Sequence, residues 1–330
     1  MLRSFVVSRR RWPLKAPFRI SRGVKTSADT VMVELRRGAA VGRGESVPYP
    51  RYGESVDAVV AHLENVGGAF ESGVPDEALT AMLPAGAARN ALDCALWDLR
   101  ARETGRTVAE MTGLARPERL ACAVTVSLDE PEAMAAAARA IADAPVVKVK
   151  LDSDLIEQRL LAVGQAAPNS RLIIDPNEGW SIDILRDARP LLARLNIALI
   201  EQPLPADDDH ALAGFDPPAP VCADESVHTA DQLAGLKDRY QAINIKLDKT
   251  GGLTGAIALL AEARRLGFTV MTGCMVGSSL AIAPALHVAG ASDFADLDGP
   301  WWLAGDWPCG VKVEDGWMTP PARGFWGEPG

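Results

Sequence analysis

The sequence predicts a closed parallel α/β barrel preceded by a small α+β unit. Three observations carry that reading. Short apolar runs recur from about residue 120 onward, at 121–128, 146–151, 171–175, 198–202, 221–224, 242–247, 269–272 and 295–298. Each except the last leads into a stretch of helical character, at a spacing of about 25 residues, as expected of successive βα units. No G-x-G-x-x-G phosphate turn follows any of these runs, which argues against an open, doubly wound sheet.

The elements before the barrel follow a mixed pattern. Residues 31–34 alternate apolar and polar, Arg36-Arg37-Gly38 reads as a turn, and 40–44 resumes the alternation. This is a hairpin signature. The Gly42-Arg43-Gly44 triplet lies inside that hairpin, so its glycines read as a place of close backbone approach rather than a nucleotide loop. Residues 48–53 form a loop. Helical periodicity follows at 56–66, 76–83 and 87–102, the last placing Ala91, Leu92, Ala95, Leu96 and Leu99 on one face. The expected division is an α+β unit over 1–112 and a barrel over 113–304.

Composition narrows the function. The chain has 330 residues, 48% of them hydrophobic, enough for a large core and incompatible with disorder. Lys plus Arg number 34 and Asp plus Glu 43, a net charge of −9. Such a chain lacks the basic footprint of a nucleic-acid binder. Its five cysteines, Cys94, Cys122, Cys222, Cys274 and Cys309, are widely spaced and form no C-x-x-C, which argues against a disulfide framework or a zinc knuckle. Four histidines leave little for a His-based metal site. The basic N-terminus has no sustained apolar region and so does not read as a signal peptide. The longest weakly polar stretch, 280–291, is too short to span a bilayer. A cytoplasmic enzyme acting on a small molecule is expected, with no membrane partner. Exposed apolar faces on barrels commonly pair, so a homo-oligomer is among the partners to expect. The C-terminal tryptophans, Trp301, Trp302, Trp307, Trp317 and Trp326, read as packing residues.

The chemistry sits at the ends of the strand-like runs. In a barrel the C-terminal strand ends form the active-site face. There the sequence places Thr125, Lys148 and Lys150, Asp175 and Asn177, Glu201, Asp224 and Glu225, Lys246 and Asp248, then Asp296 and Asp298. Asp175, Glu201, Asp224 and Lys246 follow one another at intervals of 26, 23 and 22 residues, one βα unit each. Three carboxylates delivered to one mouth repel unless a cation binds them, and oxygen-only ligation suits Mg²⁺. Asn177 is placed to orient a ligand or a water beside Asp175. Lys148 and Lys150 are i,i+2 on one strand and share a face. Lys246 comes four strands later and faces them across the mouth. Neighbouring ammonium groups are expected to lower a lysine pKa far enough for one to act as a base. The set suggests proton abstraction α to a carboxylate. A divalent ion would stabilise the enediolate, one lysine would take the proton and another would return one.

These motifs resemble the enolase superfamily, in its muconate-lactonizing-enzyme subgroup. The matching strings are KVK at 148–150, IIDPNEGW at 173–180, IEQP at 200–203, ADES at 223–226 and NIKLDKTGG at 244–252. AARNALDCALWDL at 87–99 resembles the family's capping-domain helix, so the likeness covers nearly the whole chain. It implies a modified (β/α)7β TIM barrel with an N-terminal α+β capping domain, and a C-terminal tail, about 305–330, packed back on the cap. It implies Mg²⁺ on Asp175, Glu201 and Asp224, with Lys150 and Lys246 as acid/base catalysts assisted by Lys148. Lys or His bases with Mg²⁺ are the known pattern of this superfamily. Glu225 and Asp248 would support the site from behind.

The last strand resembles a narrower group. Asp296-Leu297-Asp298 followed by Gly299-Pro300 is similar to the D-x-D of dipeptide epimerases, where two carboxylates bind the substrate ammonium group. Arg19, Arg22 and Lys25 crowd the segment 17–26, expected to be a cap loop over the mouth. Cations there imply an acidic side chain, as in dipeptides of the L-Ala-D/L-Glu type from murein peptide breakdown. Arg22 and Lys25 are the two candidates for reading it, and only arginine could do so bidentately. The alternatives are muconate cycloisomerase, o-succinylbenzoate synthase or N-acylamino acid racemase chemistry, or a silent barrel. The substrates of those other reactions have no free ammonium group to pair with Asp296 and Asp298.

Overall fold

A computed structural model describes residues 2–329. Its N-terminal part is a three-stranded antiparallel sheet, β1 (Arg3–Ile20), β2 (Gly23–Arg37) and β3 (Ala40–Ser46), in that order. The turn at Arg36-Arg37-Gly38 forms as expected, with Gly38 at φ 62°. The segment 17–26 differs from expectation. It is the paired tip of a hairpin rather than an open loop, with Phe18 opposite Lys25 and Ile20 opposite Gly23. The Arg9-Arg10-Arg11 run and Pro13 break the alternation that would have revealed β1. An edge strand tolerates such residues because one side of it faces water.

Helices α1 (Val56–Glu71), α2 (Asp76–Ala81), α3 (Ala87–Thr104) and α4 (Val108–Thr112) complete this unit. Within 48–53, a single 3-10 turn spans Pro50–Tyr52. Val31, Val33 and Leu35 of β2 pack against Leu63, Phe70, Leu92 and Leu99 in one dry cluster. Helix α3 lies directly on β3 because of the two glycines. A Cβ on Gly42 would sit 2.2 Å from the Ala95 carbonyl oxygen, and one on Gly44 2.2 Å from that of Ala91. The Gly42-Arg43-Gly44 triplet is therefore a packing feature.

A short strand, β4 (Leu120–Ala121), leads into eight parallel strands. They are β5 (Val124–Val126), β6 (Val146–Lys150), β7 (Arg171–Asp175), β8 (Ile197–Glu201), β9 (Val221–Ala223), β10 (Ala242–Lys246), β11 (Thr269–Gly273) and β12 (Phe294–Asp296). They neighbour one another in chain order, and the Ala123 N–H donates to the Ala295 carbonyl oxygen at 2.8 Å across the closing seam. Helices α5 (Pro131–Arg139), α6 (Ile156–Ala166) and α7 (Ile182–Leu192) follow β5, β6 and β7. Helices α8 (Leu247–Thr250) and α9 (Leu253–Leu266) follow β10, while α10 (Ser279–Ile282) and α11 (Ala285–Ala289) follow β11.

The stretches after β8 and β9 depart from the expected helices. They hold only 3-10 turns, His210–Leu212 and Ala230–Leu236. Pro203, Pro205, Pro217, Pro218 and Pro220 remove donors and fix φ through the first of them. Gly235 weakens the second.

Strand alternation then places the chemistry. Ile173, Leu199, Cys222, Ala242 and Met271 fill the barrel interior. Two residues further along their strands, Asp175, Glu201, Asp224 and Asn244 project from the same faces. The tail forms a hairpin, β13 (Lys312–Glu314) and β14 (Trp317–Thr319), with β14 paired to β4. Beyond it Trp326 Nε1 donates to the Arg43 carbonyl oxygen at 2.9 Å, and the Gly327 N–H donates to Asp98 Oδ1 at 2.8 Å. Among the described residues no helix is long and apolar enough to cross a membrane.

Candidate active site

A cavity of about 470 Å³ lies between the cap hairpin and the C-terminal strand ends. The cap contributes Ile20, Arg22, Lys25 and Tyr52; the barrel contributes Lys150 and Lys246 from opposite sides, and Asp298. Thr125, Lys148, Asn177, Asp224, Glu225 and Asp296 also border it. The register explains the grouping: Lys150 is opposite Asp175, and Gly273 bridges Lys246 on one side and Asp296 on the other.

The lysines each grip carboxylates. Lys150 Nζ lies 2.6 Å from Asp175 Oδ2, and Lys246 Nζ 2.7 Å from Asp224 Oδ2. Lys148 Nζ sits among three, 2.5 Å from Asp296 Oδ2, 2.6 Å from Glu201 Oε2 and 3.1 Å from Asp175 Oδ2. The expected lowering of a lysine pKa is not what the site does to Lys148 and Lys246. Burial pushes both ammonium groups down, but Asp296, Glu201 and Asp175 around Lys148, and Asp224 and Glu201 around Lys246, outweigh it and hold both well above the usual value. The ammoniums face carboxylates more closely than one another.

Asp175, Glu201 and Asp224 are fully buried. Among the described residues they do not converge as a finished metal cage, and the lysines occupy their oxygens instead. The donor set nonetheless suits a hard divalent cation. All donors are carboxylate oxygens, and Asp175 and Glu201 already converge on one positive charge, the Lys148 ammonium. Burial and then the neighbouring Asp175 charge push the Glu201 carboxyl well above its ordinary range. Asn244 Nδ2 donates to Glu201 Oε1 at 2.8 Å. It has room because position 273 is glycine: a Cβ there would lie 2.6 Å from Asn244 Oδ1.

Other residues take more specific places than the sequence suggested. Asn177, at φ 49°, donates its N–H to Asp175 Oδ1 at 2.9 Å and leaves its own buried Oδ1 without a partner. Asp298 Oδ2 accepts from the Thr125 N–H at 2.8 Å and from Trp302 Nε1 at 3.2 Å. It is buried, has no ion-pair partner among the described residues, and burial followed by Asp296 pushes its carboxyl up. Arg22 is already engaged, 2.9 Å from Glu178 Oε2 and 2.7 Å from Glu225 Oε1. Lys25 forms no ion pair among the described residues; its Nζ lies 4.7 Å from the centre of the Tyr49 ring. Arg19 is pinned by its backbone to Ser127 and does not border the cavity. Asp248 sits away from the carboxylate cluster. It accepts from the Val47 N–H at 3.0 Å and Asn90 Nδ2 at 2.7 Å, and so fastens the cap to the barrel.

Sequence reasoning missed Lys249, Asn244 and Tyr52. The first two lie within the NIKLDKTGG string, but strand periodicity says nothing about the helical turn that carries Lys249.

The family model described as Mandelate racemase / muconate lactonizing enzyme, N-terminal domain, matches residues 2–113, and that described as Enolase C-terminal domain-like matches 132–325. The chain belongs to the enolase superfamily. Within this superfamily it is 50% identical to the L-Ala-D/L-Glu epimerase of Escherichia coli K12, over 92% of this chain and 96% of that one. It is 46% identical to an N-acetyl-D-glutamate racemase of a Pseudoalteromonas species, over 87% and 91%. A solved enolase family member from Agrobacterium tumefaciens, with bound sodium and L-Ala-L-Glu, superposes at a TM-score of 0.96, with 48% identity over 98% of this chain and 100% of that one. A dipeptide epimerase from Enterococcus faecalis, complexed with Mg and L-Leu-L-Tyr, superposes at 0.90, with 26% identity over 97% of each. The expected barrel with its N-terminal cap is the fold of this superfamily member.

Proposed function

We propose that the chain is a Mg²⁺-dependent epimerase of L-Ala-D/L-Glu type dipeptides, inverting the glutamate α-carbon. One observation carries this most strongly. Lys150 and Lys246 border a single cavity from strands four apart in an eight-stranded barrel, and in the same cavity stands a buried Asp298 with no ion-pair partner among the described residues.

On this reading one lysine, as the neutral amine, removes the α-proton. The electron pair passes into the adjacent substrate carboxylate. The lysine across the cavity, as an ammonium, gives its proton to the opposite face. One proton leaves and one arrives, so only the configuration changes. Asp175, Glu201 and Asp224 would hold Mg²⁺, which supplies positive charge to the substrate carboxylate and neutralises the groups that otherwise pair with Lys150 and Lys246. Lys148 remains charged and assists that carboxylate. Asn177 and Glu225 brace the mouth. Residues 1–112 serve as the cap and 113–304 as the catalytic barrel, with the tail from about 305 fastening them. The substrate would come from murein peptide breakdown in the cytoplasm.

The glutamate racemase relative supports a second reading, an N-acylated substrate. The two readings differ at the substrate nitrogen, charged in a dipeptide and neutral in an N-acyl amino acid. Asp298 favours the dipeptide. Asp298→Asn should raise KM for L-Ala-L-Glu at least tenfold, since truncating one partner of a buried charge pair costs about 2–5 kcal/mol. Divalent-ion affinity should change little. Turnover of N-acetyl-glutamate with the dipeptides untouched would replace the first reading by the second.

Lys25 is the better reader of the distal carboxylate, because Arg22 is held by Glu178 and Glu225. A charge-assisted hydrogen bond is worth about 1.5–3 kcal/mol, roughly tenfold to a hundredfold in kcat/KM. Lys25→Ala should lower kcat/KM for L-Ala-L-Glu by that factor and spare L-Ala-L-Leu. Equal losses on both dipeptides would mean that the hairpin only closes the site.

A further inference from the structure

Lys249 is a buried cation that the acid/base chemistry leaves unused. It is 1% exposed and does not border the cavity. Its Nζ lies 2.6 Å from Asp224 Oδ1, 2.6 Å from the Asp224 carbonyl oxygen and 2.9 Å from the Asn244 carbonyl oxygen. An ammonium has three hydrogens to donate, and here each has an acceptor. Lys150 and Lys246 differ on both counts: they border the cavity, and each donates to a single carboxylate.

Asp224 is consequently held at three points. Lys249 binds its carbonyl oxygen and its Oδ1, and its N–H donates to Gln202 Oε1 at 2.9 Å. Only Oδ2 turns to the cavity side, where Lys246 meets it. Gln202 and Asn244 extend the bracing, since Gln202 follows Glu201 in the chain and Asn244 donates to Glu201 Oε1.

We propose that Lys249 is a positioning residue that locks Asp224 with Oδ1 turned away and Oδ2 presented for a divalent cation. The proposal rests on the metal role given to Asp224 above. Two simple effects of Lys249 have opposite signs. A bare positive charge beside a cation site repels the incoming ion, so its removal would tighten binding. An orienting partner preorganises the ligand, so its removal weakens binding, typically about 10–100-fold for such outer partners.

The test is direct Mn²⁺ binding to the metal-stripped full chain, followed by electron paramagnetic resonance of free Mn²⁺, for wild type, Lys249→Met and Lys249→Gln. Methionine keeps the unbranched length and removes the donor. Glutamine keeps N–H donors without the charge. The expected result is a roughly tenfold to hundredfold loss of Mn²⁺ affinity in Lys249→Met, with a smaller loss in Lys249→Gln. At saturating Mn²⁺ the KM for L-Ala-L-Glu should stay near wild type. If Lys249→Met does not fold, the loss in Lys249→Gln carries the same test. Affinity equal to or tighter than wild type in the folded variants would overturn the positioning role alone. A wild-type chain that binds no Mn²⁺ would overturn the metal reading beneath it.

Discussion

Lys150→Ala and Lys246→Ala should each abolish epimerisation of L-Ala-L-Glu, and each should leave solvent exchange of the α-proton in one diastereomer only. The two lysines come from β6 and β10 and are anchored on different carboxylates, Asp175 and Asp224. On the proposed mechanism they approach the α-carbon from opposite faces. Epimerisation needs both, one to take a proton and one to return it. Exchange needs only one, because an amine that has taken a proton can trade it with solvent and give back deuterium to the same face. A positioned general base contributes about 10²–10⁴-fold, so either loss should lower epimerisation by at least that factor. The two variants should exchange opposite diastereomers in D₂O. A variant that epimerises at the wild-type rate would end the two-base account. Two variants exchanging the same diastereomer would place both lysines on one face.

Removing divalent metal should be equally severe, and Glu201→Gln should reproduce it. Glu201 is wholly buried, its Oε1 accepts from Asn244, and its Oε2 faces the Lys148 ammonium at 2.6 Å. Glutamine preserves the volume, so packing is retained while one ligand charge disappears. Charge stabilisation by a bound cation is worth several kcal/mol in the transition state, more than a hundredfold in rate. Wild type stripped with chelator should recover on adding Mg²⁺, whereas Glu201→Gln should not recover at the same concentrations. Full activity in excess chelator after dialysis would remove the metal from the account.

How much of this was legible in the sequence follows from what periodicity can report. The barrel strands were visible because each is a short apolar run ending in a polar residue, and the 26-, 23- and 22-residue intervals gave the register of Asp175, Glu201, Asp224 and Lys246. The i,i+2 spacing of Lys148 and Lys150 correctly put both on the inner face. Strand β1 escaped because Arg9, Arg10, Arg11 and Pro13 obscure its alternation, so the hairpin tip at 17–26 read as a loop. The engagement of Arg22 by Glu178 and Glu225 depends on residues more than 150 positions away, which no local pattern carries. The same holds for Asp248, whose partners Val47 and Asn90 lie in the cap. Counting ammonium groups against one another also leaves out the carboxylates beside Lys148 and Lys246, which push both lysines upward.

The central claim is that one cavity, with a lysine on each side, inverts the glutamate centre of a free dipeptide. Proton NMR of the wild-type chain with Mg²⁺ and L-Ala-L-Glu in D₂O tests it most directly. The expected result is loss of the glutamate α-proton signal together with a second set of resonances from L-Ala-D-Glu, while the alanine α-proton is retained. Persistence of the glutamate α-proton through prolonged incubation, with N-acetyl-glutamate or another carboxylic acid turned over instead, would contradict it.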